Sequence, residues 1–132
     1  MSIFKNIFKS NSDNVNNVES KINWIQLTDL NQLEEIKEIS NSETVAIFKH
    51  STRCGISRMV IKMFEKQFDE NLSTFKVFYL DLLNHREISN EIGYTFQVLH
   101  QSPQILVIKN KKAIAHASHY DITTLDLKKY LE

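Results

Sequence analysis

Val45-Ala46-Ile47-Phe48-Lys49-His50-Ser51-Thr52-Arg53-Cys54-Gly55-Ile56-Ser57 is the stretch on which the reading of this chain turns. Its first four residues form a continuous apolar run, the pattern of a strand buried on both faces of a parallel sheet. Its last residues lead into Val60, Met63, Phe64, Gln67 and Phe68, which keep helical spacing to about residue 69. Cys54, the only cysteine among 132 residues, therefore falls at a strand-to-helix turn. Unpaired backbone N–H groups and the helix dipole favour negative charge there, and the thiolate is the reactive form of cysteine. Arg53 and Arg58 flank the turn and push in the same direction. Cys54 reads as a redox nucleophile.

The elements to either side repeat the strand–helix alternation. Trp24 to Leu27 is a candidate first strand, and Thr28 or Asp29 a candidate cap for a helix over about 30–40, striped by Leu30, Leu33, Ile36 and Ile39. Phe75 to Leu82 reads as a third strand. A short helix over 86–92 follows, with Gly93 as its expected C-cap. A loop from Val98 to Pro103 carries the only proline, and Gln104 to Lys109 is again an apolar strand. Asn110-Lys111 is a candidate tight turn into a returning strand, Ala113 to His119, and Thr123 or Thr124 is expected to cap a last helix. The order is β-α-β-α-β-α-β-β-α. Strands separated by helices favour parallel pairing through right-handed crossovers, and the final hairpin adds antiparallel edges. The pattern predicts an α/β fold, one mixed central sheet with helices on both faces.

Residues 1–21 stand apart as a short amphipathic segment and a polar linker. Ile3, Phe4, Ile7 and Phe8 share one face at helical spacing, and Asn11 to Lys21 is rich in Asn, Ser and Asp. The segment reads as a cap on the domain or as a membrane or partner contact. The remainder, 22–132, reads as one domain.

Sixteen basic and sixteen acidic residues cancel, which leaves no electrostatic footprint for nucleic acid. No apolar run approaches the roughly 20 residues of a membrane span. With one cysteine there is no internal disulfide to suggest an oxidising compartment, so a cytoplasmic location is expected. His116 and His119, three apart on the expected strand, would point to opposite faces, and His85 is isolated, so no zinc set emerges.

Cys-x-x-Ser after the second strand and Ser102-Pro103 before the fourth give this chain a resemblance to the thioredoxin superfamily. Within it, Thr52-Arg53-Cys54-Gly55-Ile56-Ser57 and His100-Gln101-Ser102-Pro103-Gln104 resemble the monothiol bacilliredoxins, from about residue 23 onward. Members often have Thr-Cys-Pro-Ile-Ser where this chain has Arg53-Cys54-Gly55-Ile56-Ser57. The resemblance implies a thioredoxin-like fold and a monothiol thiol–disulfide oxidoreductase that removes bacillithiol, or a similar small thiol, from mixed disulfides on protein cysteines. It implies Cys54 as nucleophile and a cis Ser102-Pro103 bond facing it. Bacillithiol would be a cosubstrate, with no resident cofactor. The partners would be a small anionic thiol and S-thiolated client proteins.

A resolving cysteine is replaced by Ser57, which could donate its hydroxyl hydrogen to the thiolate, since i and i+3 share a helix face. The expected substrate-binding set is Thr52, Arg53, Gly55, Ile56, Ser102 and Pro103. Arg53 and Arg58 suit the carboxylates of an anionic thiol, or are solvated surface charges. His50 and His100 border the site as proton carriers, or pack in the ordinary way. Two other readings stay open. Cys54-Gly55-Ile56-Ser57 differs at one residue from the Cys-Gly-Phe-Ser of monothiol glutaredoxins, which hold an iron–sulfur cluster; the Gly-Gly pair of that family after the fourth strand is missing. The other is a non-catalytic thioredoxin-like binding module with Cys54 as a small buried apolar residue.

Overall fold

Five strands of alternating or continuous apolar character form one sheet in the computed structural model, which describes residues 22–131. The strands are β1 (Asn23–Gln26), β2 (Val45–His50), β3 (Lys76–Asp81), β4 (Gln104–Lys109) and β5 (Lys112–Ser118). Their order across the sheet is β1-β3-β2-β4-β5. β3 runs parallel to both β1 and β2, whereas β4 is antiparallel to β2 and to β5. The helices are α1 (Gln32–Ser40), α2 (Gly55–Lys66) and α3 (Arg86–Phe96). The expected α/β class with a mixed central sheet is what the structure shows. The segment 1–21, with its apolar face and linker, lies outside the described residues.

β2 is the central strand, and all six of its residues are buried. Alternation sends Ala46 and Phe48 to one face and Val45 and Ile47 to the other. On the first face Phe48 meets Val60 and Phe64 of α2, with Phe48–Phe64 and Phe64–Phe68 ring centroids 5.1 and 5.2 Å apart. On the second face Val45 and Ile47 join Leu33 and Ile36 of α1 and Ile88 and Ile92 of α3. The cysteine loop thus leaves a strand fixed from both sides and enters a helix clamped by its own phenylalanine.

Two helix boundaries differ from expectation. α3 runs through Gly93 and stops only at Phe96, a buried residue; the left-handed residue that closes it is Gln97, φ 57°. Gly93 serves close packing instead, since a Cβ there would lie 3.1 Å from the Val98 carbonyl oxygen. α1 starts at Gln32. Asp29 Oδ1 accepts the Asn31 N–H, and Gln32 Oε1 accepts the N–H groups of Thr28 and Asp29, so the polar residues shape the turn before the helix.

The expected last helix is replaced by two 3₁₀ segments, His119–Thr124 and Leu127–Tyr130. The hydroxyls of Thr123 and Thr124 donate backward to the carbonyls of Tyr120 and Asp121 rather than capping a following helix. Leu125 is extended, and Ile122 and Leu127 are buried against the α2 face. Asn110 and Lys111 form the expected tight turn without glycine, both with positive φ (52° and 68°). Ser40 at the end of α1 supports that turn, its carbonyl accepting the Asn110 N–H and its hydroxyl the Lys111 N–H.

Candidate active site

Cys54 occupies the N-cap of α2 with extended backbone (φ −99°, ψ 122°) and is partly exposed. Its carbonyl accepts the Arg58 N–H, which starts the helix, and its own N–H donates to the Ser51 carbonyl. The thiol therefore sits where the first-turn N–H groups are free of helical partners. Gly55 has room around it; the nearest side-chain atom to an added Cβ is Arg58 Nη2 at 3.9 Å. Arg58 folds back along the loop and donates from Nη1 to the Thr52 carbonyl at 3.0 Å. Thr52 and Arg53 open onto a cleft whose opposite wall is Leu83 and Asn84, in the loop after β3. Ile56 is exposed on the outer side of α2, in line with Met59 and Met63.

Ser57 lies the other way, fully buried. Its hydroxyl oxygen accepts the Ser51 N–H at 3.1 Å and stands 2.9 Å from His50 Nδ1. The expected donation to Cys54 is not what the structure shows; the hydroxyl ties the start of α2 to the end of β2. The reason is geometric. Ser57 is on the inward face of α2, directly above the last residue of the central strand, and Cys54 precedes the first turn.

His50 was a plausible neighbour by position, and the structure gives it definite surroundings. It is 5 % exposed, stacked beside Tyr79 with ring centroids 5.7 Å apart, and level with Asp81 across the parallel β2–β3 pair. Burial pushes the imidazole below its ordinary range, Asp81 pulls it back up, and Arg58 pushes it down again. Burial foremost, and then Asp81, raises the Tyr79 phenol. Asp81 Oδ2 accepts from Asn84, and its buried Oδ1 has no hydrogen-bond partner.

The Ser102-Pro103 peptide bond is cis. It lies at the same end of the sheet as Cys54: Gln104, next after Pro103, is the register partner of Lys49, five residues before the cysteine. The Pro103 carbonyl accepts the His119 N–H, and the buried Ser102 hydroxyl has no partner. Gln104, itself buried, donates to the Leu99 carbonyl and accepts the Gln101 N–H through its side chain. Cys54 on one loop and Ser102-Pro103 on the other are thus anchored to adjacent strands.

Sequence reasoning assigned no role to Lys49, the residue that follows the apolar run of β2. It is completely buried on the α1–α3 side. Nothing in its spacing separates it from a snorkelling surface lysine, except that it follows four residues needing burial on both faces. Among the described residues no group of three His, Cys, Asp or Glu side chains could hold a metal ion, and no helix is long and apolar enough to cross a membrane.

Comparison with known proteins agrees with this architecture. A solved structure with a thioredoxin fold is 28% identical, with a TM-score of 0.65, over 76% of this chain and 88% of that one. Thioredoxin NaTrxh from Nicotiana alata aligns with a TM-score of 0.65 at 15% identity, over 84% and 95% of the two chains. The reduced thioredoxin pre-protein of Schistosoma mansoni gives 0.61 at 18% identity, over 82% and 98%. These last two share the fold. The family description "Monothiol bacilliredoxin BrxC" matches residues 25–127, which take in the end of β1, strands β2 to β5, the Cys54 loop and the cis-proline loop. With a thioredoxin-like sheet, one cysteine at the mouth of α2 and Ser57 in the place of a second, the chain belongs to the monothiol bacilliredoxin family.

Proposed function

We propose that the chain is a monothiol thiol–disulfide oxidoreductase that takes bacillithiol, or a similar small anionic thiol, off protein cysteines. The observation that carries this reading is a lone, partly exposed Cys54 at the N-cap of α2, with Ser57 buried three residues on. The Cys54 thiolate attacks the small-thiol sulfur of the client's mixed disulfide. A new disulfide forms between Cys54 and the small thiol, the old S–S bond breaks, and the client leaves as a thiolate that takes a proton. Ser57 has no sulfur to displace the adduct. A second small-thiol molecule therefore attacks it, leaving as the symmetrical small-thiol disulfide and restoring Cys54.

Thr52, Arg53, Gly55 and Ile56 form the rim around the nucleophile. Ser102 and Pro103 offer backbone groups to an extended client. Ser57 acts by fixing the loop through Ser51 and His50. The reading is tested by following release of free client thiol from a bacillithiol-modified protein in the presence of bacillithiol. Cys54→Ser should reduce the rate to the uncatalysed background; an unchanged rate in that variant would overturn the assignment.

A further inference from the structure

A buried cation lies outside the machinery described above. The Lys49 ammonium donates to the Ser89 carbonyl of α3 at 3.3 Å and lies 3.2 Å from His100 Nδ1. No carboxylate is paired with it among the described residues. The groups around His100 are Lys49 from β2, with Ser89 Oγ at 3.4 Å and the Arg86 charge from α3. An ammonium has three N–H donors and no acceptor, so Nδ1 must supply the lone pair. That fixes the ring as the neutral tautomer with its proton on Nε2. His100 is exposed as a residue while its Nδ1 contacts are partly buried, and it lies on the loop that leads to Ser102-Pro103. Burial, Lys49 and Arg86, in that order, all hold the imidazole below its ordinary range, so it stays neutral while its surroundings are positive.

We infer that Lys49 locks His100 with an Nε2–H turned outward beside the cis-proline loop, and that this donor binds a carboxylate of the anionic thiol. His100 is then a specificity residue and Lys49 its positioning residue. The inference rests on the proposed substrate class, but its test needs no redox step. Burial lowers Lys49 to about 8, so the ammonium form predominates at neutral pH.

Two measurements on the full chain decide it. Long-range ¹H–¹⁵N spectra at pH 7 should show His100 as one tautomer, protonated at Nε2, and Lys49→Met should turn it into a tautomer mixture titrating nearer its ordinary range. A mixture in the parent chain, or a ring indifferent to Lys49→Met, would overturn the lock. The Cys54→Ser chain, which cannot exchange, is then titrated with bacillithiol disulfide and with the uncharged N-acetylcysteamine disulfide. Bacillithiol disulfide should shift the His100 resonances saturably. Its binding should weaken at least about fivefold in His100→Leu and less in His100→Gln, which keeps an N–H donor. Equal binding of both disulfides, or none lost in His100→Leu, would overturn the carboxylate contact. Failure of thiol transfer in the parent chain would strike the redox reading and leave both results standing.

Discussion

Ser57 shows how one buried hydroxyl serves two neighbours. Removing it in Ser57→Ala strands the Ser51 N–H and His50 Nδ1 away from water, at a cost of about 1–3 kcal/mol. Chemical denaturation should show that loss, whereas a change within experimental error would mean that the two partners find others. His50 adds a pH dependence. Its folded-state pKa is depressed below the ordinary 6.5, so the unfolded chain binds the proton more readily. Its contribution is therefore present above about 6.5 and lost as pH falls through the lower, folded value. His50→Asn, which keeps a hydrogen-bonding group near the Nδ1 position, should flatten the stability profile in that acid window. At this scale Cys54 and the Ser-Pro pair were legible because residue type and spacing alone mark them. The inward turn of Ser57 was not, since it depends on which side of α2 faces the end of β2.

The Asn110-Lys111 turn holds two side-chain-bearing residues in the left-handed region, a conformation costing roughly 1 kcal/mol for each. Lys111→Gly should relieve one of them while keeping the backbone N–H that reaches Ser40, and raise stability by up to about 1 kcal/mol. Destabilisation on thermal melting would show that the lost lysine mattered more than the strain. Elements with strong periodicity, such as β2, β3 and β4, were legible to within a residue or two. The end of α3 was misjudged because glycine signals both helix termination and close packing, and Gly93 is used for the second. The C-terminal segment misled for a related reason. Its threonines match a helix start, but they close their own preceding turns, and Ile122 and Leu127 are satisfied by burial without a helix.

Across the molecule, β2 divides the two cores and carries a different polar group to each side of its end. His50 goes to the α2 side and Lys49 to the α1–α3 side. Lys49 is charged in the unfolded chain up to its ordinary 10.5 but only to about 8 when folded. Its burial cost is therefore in force below pH 8 and is relieved as pH rises toward 10.5. Lys49→Met should remove that slope from the stability profile, because a methionine carries no charge to desolvate at any pH. Global unfolding at pH 7 and pH 9.5 tests it; an identical slope in both chains would contradict it. The alternation of strands and helices made the architecture legible, but a lysine inside it was not, because its burial comes from the packing of α3 and the cis-proline loop above it. The central claim is that Cys54 itself receives the small thiol. Intact mass spectrometry of the chain, after mixing with a bacillithiol-modified protein and no added thiol, reads this directly. The account predicts one bacillithiol gained on Cys54, matched by one free thiol on the client. No mass gain, with the client still modified, would contradict it.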